Sequence, residues 1–282
     1  MTSTQTSTPI LPAALRLGAV HLTVTNLDRS VGFYQDAIGL QVHQREDATA
    51  AMGAGREDLL VLHEEPFARP AGRHAGLYHF ALLHPNRTEL ARALARLAAT
   101  RTRIEGASDH GISEAIYLPD PDGNGIELAA DRPKATWPEG GDMRPDPLDL
   151  HALLGLVADE EVQRRADPGL TVGHMHLHVG DVDKGLAFYR DVLGFEVQTL
   201  MPSAAFVSAG GYHHHLGFNI WRGPNVPPVP PGTVGLREWT VVLPSAEDVD
   251  AVIGRLDAAG IAHEDGLTAD PWGNAIRFVS AP

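Results

Sequence analysis

Residues 18–42 read GAVHLTVTNLDRSVGFYQDAIGLQV, and residues 173–197 read GHMHLHVGDVDKGLAFYRDVLGFEV. The two stretches spell one unit twice: a strand, a turn, and a helix closed by glycine. In the first copy Val20, Leu22 and Val24 alternate with His21 and Thr23, the period of a strand with one apolar face. Leu27, Val31, Tyr34 and Ile38 then recur at helical spacing, and Gly39 supplies the stop. In the second copy Met175, Leu177 and Val179 share one face and His174, His176 and His178 the other, followed by Val182, Leu186, Tyr189 and Leu193 before Gly194. The apolar face of each strand has to pack on a helix. The histidine face therefore looks onto water, a cavity or a metal.

A second phrase is also written twice. Residues 76–97 (GLYHFALLHPNRTELARALARL) match 235–256 (GLREWTVVLPSAEDVDAVIGRL), and each closes with a turn and a strand, DPDGNGIELA at 120–129 and DPWGNAIRFV at 270–279. The repeat therefore predicts four modules, roughly 16–65, 74–130, 170–222 and 233–280, each a strand, a helix and several further strands. Residues 1–15 are expected to be a loose tail, 16–130 an N-terminal half, 131–169 a linker with a short helix around Leu148–Val157, and 170–282 a C-terminal half. The Pro-rich stretch 222–233 reads as a connector.

At 43% hydrophobic and 21% charged residues, the 282-residue chain can bury a substantial core. A formal net charge of −14 disfavours a nucleic-acid or anionic-membrane partner. Cysteine is absent, which excludes disulfides, thiolate ligands and a cysteine nucleophile and fits a reducing, cytoplasmic setting. The N-terminus lacks the basic start and apolar run of a signal peptide, and no stretch is apolar enough to span a membrane.

His79 lies in GLYHFALL, where Tyr78, Phe80 and Leu82 define the apolar face and His79 the other. Glu127 lies in GNGIELA between Ile126 and Leu128. A carboxylate among buried residues costs several kcal/mol unless it is paired or bound to a cation. A lone strand histidine is ordinarily just hydrogen-bonded or half-exposed. Two imidazoles and a carboxylate on converging strands, however, make the facial triad of non-haem Fe(II) sites, with positions left open for oxygen and substrate.

The four modules, the phrases FYQDAIGL and FYRDVLGF, and the ending DPDGNGIEL resemble the vicinal oxygen chelate superfamily of glyoxalases, bleomycin-resistance proteins and dioxygenases. SAGGYHHHLGFNIW and the four-module length look most like its catechol 2,3-dioxygenase branch. The resemblance implies an α+β fold of four βαβββ modules paired into two half-barrel domains. It implies a metal site of His79 and Glu127 completed by a first-strand histidine, His176 or alternatively His21. Module four carries Glu238 and Arg277 where module two carries His79 and Glu127, so module two is the intact donor. His214 matches the family's acid–base histidine, which favours module three and His176. Tyr117 matches a tyrosine that orients substrate or oxygen, and His110 a neighbouring histidine. His213 and His215 are expected to bind substrate. Strand alternation alone puts His213 and His215 on one face and His214 on the other.

The implied reaction is extradiol ring cleavage of a catechol-type small aromatic substrate by O2, with Fe(II) as cofactor and Mn(II) as the alternative. A hydroquinone dioxygenase, a glyoxalase-like metal-dependent isomerase and a metal-free binding protein of the resistance type share the scaffold. A homo-oligomer is compatible with all of these.

Overall fold

The computed structural model describes residues 10–137 and 145–281. Module one is β1 (Arg16–Val24), α1 (Leu27–Phe33) running into a π-helical turn Tyr34–Ile38, β2 (Gln41–Glu46), β3 (Thr49–Gly53) and β4 (Leu60–Glu64). Module two is β5 (Gly76–His84), α2 (Arg87–Ala99), β6 (Gly106–Asp109), β7 (Ser113–Pro119) and β8 (Gly125–Asp131). The linker contributes β9 (Asp146–Pro147) and α3 (Leu150–Gly155). Module three is β10 (Thr171–His178), α4 (Val182–Leu186) with a π-helical turn Ala187–Val192, β11 (Glu196–Met201), β12 (Ala204–Ser208) and β13 (Leu216–Asn219). Module four is β14 (Gly235–Leu243), α5 (Ala246–Ala258), β15 (His263–Glu264), β16 (Leu267–Ala269) and β17 (Ala275–Ser280). The expected α+β class and the βαβββ plan are both present.

Each module helix starts where a side-chain oxygen caps it: Asn26 accepts from Arg29 N, Asn86 from Glu89 N, Asp181 from Lys184 N and Ser245 from Asp248 N. Gly39 and Gly194 end the first and third helices at φ of 87° and 93°, which a β-carbon would resist.

The strands form two sheets, in the orders β15-β16-β17-β14-β1-β4-β3-β2 and β11-β12-β13-β10-β5-β8-β7-β6-β9. The first joins modules one and four, the second modules two and three. The sequence halves 16–130 and 170–282 therefore do not correspond to the two sheets; each half contributes one module to each. Two buried bonds tie the sheets together. Tyr34 Oη donates to Asp120 Oδ2 at 3.1 Å, and Tyr189 Oη donates to Asp270 Oδ2 at 2.8 Å.

Two expectations change. The tail reading extends too far: residues 1–9 lie outside the described residues, but Leu11 and Leu15 are buried and Leu11 N donates to Gly194 O at 2.8 Å. The linker is more than a tether, because β9 pairs with β6 and Arg96 of α2 donates to Gln163 O and Arg165 O.

His84, at the end of β5, is buried with no hydrogen-bond partner for either ring nitrogen among the described residues. Burial, helped by the nearby Arg96 charge, drives its pKa down to about 3. The unfolded chain protonates this ring near pH 6.5, so acid favours unfolding. The stability it contributes above that pH is withdrawn as pH falls toward 3. His84→Leu is therefore expected to gain about 2–3 kcal/mol on the wild type between pH 7 and 4.5, read from urea unfolding at each pH.

Candidate metal centre

The site is built where β5 and β10 run antiparallel at the middle of the second sheet, with His79 opposite His176. The pairing slips twice. Between Val172↔Leu82 and Met175↔Phe80, Gly173 and His174 together face Ala81; between His79 and Leu77, Tyr78 is an extra residue. Each slip is a β-bulge, which twists the strand and re-aims side chains. Tyr78 accordingly departs from the apolar face assigned by alternation. It is 40% exposed, with its ring 4.8 Å from that of His79 and 5.0 Å from that of His176.

Three donors converge. His79 Nε2 is 3.0 Å from Glu127 Oε2, His174 Nε2 is 3.1 Å from the same oxygen, and the two nitrogens are 3.3 Å apart. All three residues are buried. Burial alone would raise the Glu127 carboxyl, but His174 and His79 outweigh it and hold the group well below its usual range, as a carboxylate. Burial, only partly offset by Glu127, lowers His174 from its usual range. Cis ligands about 2.1 Å from a metal stand about 3.0 Å apart, so this spacing and this N2O donor set fit a first-row divalent ion.

The third member of the cluster is His174, which corrects the expectation of His176. His176 Nε2 accepts from Asn219 Nδ2 at 2.9 Å, and Asn219 Oδ1 accepts from His178 Nδ1 at 2.9 Å. Its lone pair is thus already used. His21 lies in the other sheet, opposite Glu238, with its Nδ1 3.1 Å from His63 Nε2. Glu238 is itself held by Arg277 at 2.8 and 3.0 Å.

A signal for His174 exists in the sequence. Counted back from the helix cap, His79 and His174 each stand seven residues before Asn86 and Asp181, whereas His21 and His176 each stand five before Asn26 and Asp181. Aligning the strand motif of modules one and three pairs His176 with His21; aligning on the caps pairs His174 with His79.

The remaining predicted residues divide. His213–His215 precede β13, so strand alternation does not govern them. The His214 ring is 4.1 Å from that of His174, and burial, then His174 and His213, push it well below its usual pKa. His213 is held by its neighbours: its Nε2 is 3.0 Å from Asp131 Oδ1 and its Nδ1 2.8 Å from His214 Nδ1. His215 is turned away, its Nδ1 accepting from Ala209 N at 3.2 Å, and lines a 360 Å³ cavity with Leu15, Leu170 and Tyr212. Tyr117 is the cross-strand partner of Glu127, and its hydroxyl is 2.9 Å from His110 Nε2. Burial and then Glu127 raise the Tyr117 hydroxyl, which remains a donor. Asp131 and the aromatic wall of Tyr78, Phe206 and Trp221 escaped sequence reading; Phe206 is 5.1 Å from the His214 ring, and Trp221 5.3 Å from the His176 ring.

A family model described as the glyoxalase/bleomycin resistance protein/dioxygenase superfamily matches residues 16–128 and 171–282. A protein of Bacillus subtilis (strain 168) named catechol-2,3-dioxygenase is 46% identical over 259 residues, 88% of this chain and 90% of that one. A solved structure of a putative dioxygenase from Bacillus subtilis superposes with a TM-score of 0.63 at 12% identity, covering 98% of this chain and 87% of that one. Glyoxalase I from Zea mays superposes with 0.59 at 17% identity, covering 95% and 92%. The two structures speak for the fold alone. The chain belongs to the glyoxalase/bleomycin resistance protein/dioxygenase superfamily, as its repeats lead one to expect. No helix among the described residues is long and apolar enough to cross a membrane.

Metal affinity separates the candidates. His79→Ala, Glu127→Ala and His174→Ala should each weaken divalent-metal binding by at least about 100-fold, and His176→Ala and His21→Ala by less than about tenfold, measured by equilibrium dialysis with elemental analysis.

Proposed function

We propose that this chain is an extradiol ring-cleaving dioxygenase that opens a catechol-type substrate with O2, holding Fe(II), or alternatively Mn(II), on His79, Glu127 and His174. The observation that carries this reading is the buried cluster of two imidazoles and one carboxylate on adjacent strands, in a chain 46% identical to a protein named catechol-2,3-dioxygenase. When bound, the metal would supply Lewis acidity and a template for two adjacent substrate oxygens and O2.

The chain's own residues do the rest. Tyr78, Phe206 and Trp221 give ring-shaped walls beside the cluster, suited to a flat aromatic substrate. His214, buried and neutral, stands next to His174 where it can take a proton from a substrate hydroxyl and later return one. The protonated Tyr117 hydroxyl donates toward substrate oxygen, oriented by His110. A glyoxalase-like isomerase would call for a second carboxylate ligand, and the cluster has one. The absence of cysteine is in keeping with a cytoplasmic setting.

Protein loaded anaerobically with Fe(II) should turn catechol yellow on admission of air, with one O2 consumed per ring. Tyr117→Phe should keep its iron and lose roughly 100-fold in kcat, the usual cost of one donor aimed at developing charge. Iron-loaded protein that consumes no oxygen with any catechol would overturn the assignment.

A further inference from the structure

Beyond the metal ligands, one chain of part-buried contacts leads away from His214. Tyr212 Oη donates to Asp131 Oδ2 at 2.8 Å, Asp131 Oδ1 lies 3.0 Å from His213 Nε2, and His213 Nδ1 lies 2.8 Å from His214 Nδ1. The partners determine the hydrogens. An ionised carboxylate only accepts, so His213 Nε2 carries a hydrogen. With that hydrogen on Nε2 and the other ring nitrogen bare, the 2.8 Å contact is made by His214 donating its Nδ1–H. The lone pair of His214 is left on Nε2.

We propose that Asp131, His213 and His214 form a proton relay, an inference that rests on the dioxygenase reading. His214 Nε2 takes the proton of a substrate hydroxyl while its Nδ1–H passes to His213 Nδ1. One N–H bond forms at each of these two nitrogens, one O–H and one N–H bond break, and no electrons change hands. His214 ends neutral in the other tautomer, and His213 becomes an imidazolium against the Asp131 carboxylate. Reversing both transfers returns the proton to the reacting oxygen.

The relay moves positive charge to a better place. An imidazolium on His214 would lie with its ring 4.1 Å from His174, inside a buried cluster that already expects a cation. On His213 the same charge faces a carboxylate whose side chain is 22% exposed. Like charges in a dry site oppose each other strongly, and an opposite charge in contact relieves that cost. His213 and Asp131 thus act through His214 and do not touch substrate.

Two measurements on the full chain test this. Nitrogen-15 NMR of histidine-labelled protein loaded with diamagnetic Zn(II) should find His214 protonated on Nδ1 and bare on Nε2. In the iron-loaded enzyme, His213→Gln and Asp131→Asn should each lower kcat for catechol by about 100-fold, with KM and iron content changed by less than about threefold. His214 protonated on Nε2 in the wild type, or a kcat in both variants within about threefold of wild type, overturns the relay. If His213→Gln does not fold, Asp131→Asn, at a partly exposed position, decides the kinetic arm. Absence of turnover by wild-type enzyme overturns the dioxygenase reading instead, and the NMR result still decides the tautomer on which the relay depends.

Discussion

The pairing of β5 with β10 is the constraint from which the site follows. These two strands join modules two and three and run through the middle of the second sheet. Had they paired without slips, alternation would put His79, His174 and His176 on the cavity face and leave Tyr78 with the core. The bulge at Gly173–His174 turns His174 toward Glu127, and the bulge at Tyr78 brings that ring out to the mouth. Bulges break ladder hydrogen bonds, so they persist where something compensates. Here the buried Glu127 carboxylate has two imidazole partners, His79 at 3.0 Å and His174 at 3.1 Å.

The first sheet shows what happens when the same frame loses its donors. β1 and β14 slip at equivalent places: Gly18 and Ala19 face Thr240, and Arg237 is the extra residue. Ala19 then occupies the place of His174, Glu238 that of His79, and Arg277, paired with Thr240, that of Glu127, which is paired with Ala81. One donor has gone, and the last strand now brings a guanidinium. The bidentate Arg277–Glu238 pair puts a fixed cation against the remaining carboxylate. Even the supporting contacts correspond, since His63 engages His21 as Asn219 engages His176. His21 and His176 are thus equivalent residues with the same supporting part.

Much of this was legible in the chain. The duplicated phrases marked out the four modules, and His79 and Glu127 stood out as polar residues alternating with buried ones. His174 was harder, because the repeat of modules one and three pairs His176 with His21 and puts Ala19 opposite His174; only module two, where His79 stands at the same distance from its helix cap, points to His174. His213 and His215 were misplaced because they sit in a turn, where period-two reasoning has no hold. Asp131 closes β8 and looks like an ordinary strand-end acid until its contact across the sheet with His213 is seen. Leu11 and Leu15 show the same limit at the N-terminus: a polar, Thr-rich lead-in hides two residues that complete the core.

The divergent half still takes part in the chemistry through packing. Asp120 organises the turn into β8 by accepting from Asp122 N, Asn124 N and Asn124 Nδ2, each at 2.8 Å, and its other contact is the Tyr34 hydroxyl from module one. Glu127 lies only three residues beyond that turn. A carboxyl buried this deeply is kept in place by satisfying every lone pair, and removing one donor leaves a costly vacancy. Tyr189 and Asp270 repeat the arrangement in the opposite sense, with a module-three tyrosine holding a module-four turn. Each sheet thus supplies the hydroxyl that fixes a turn of the other. The first sheet can lose its metal donors, but it cannot lose Tyr34 without loosening the turn that aims Glu127.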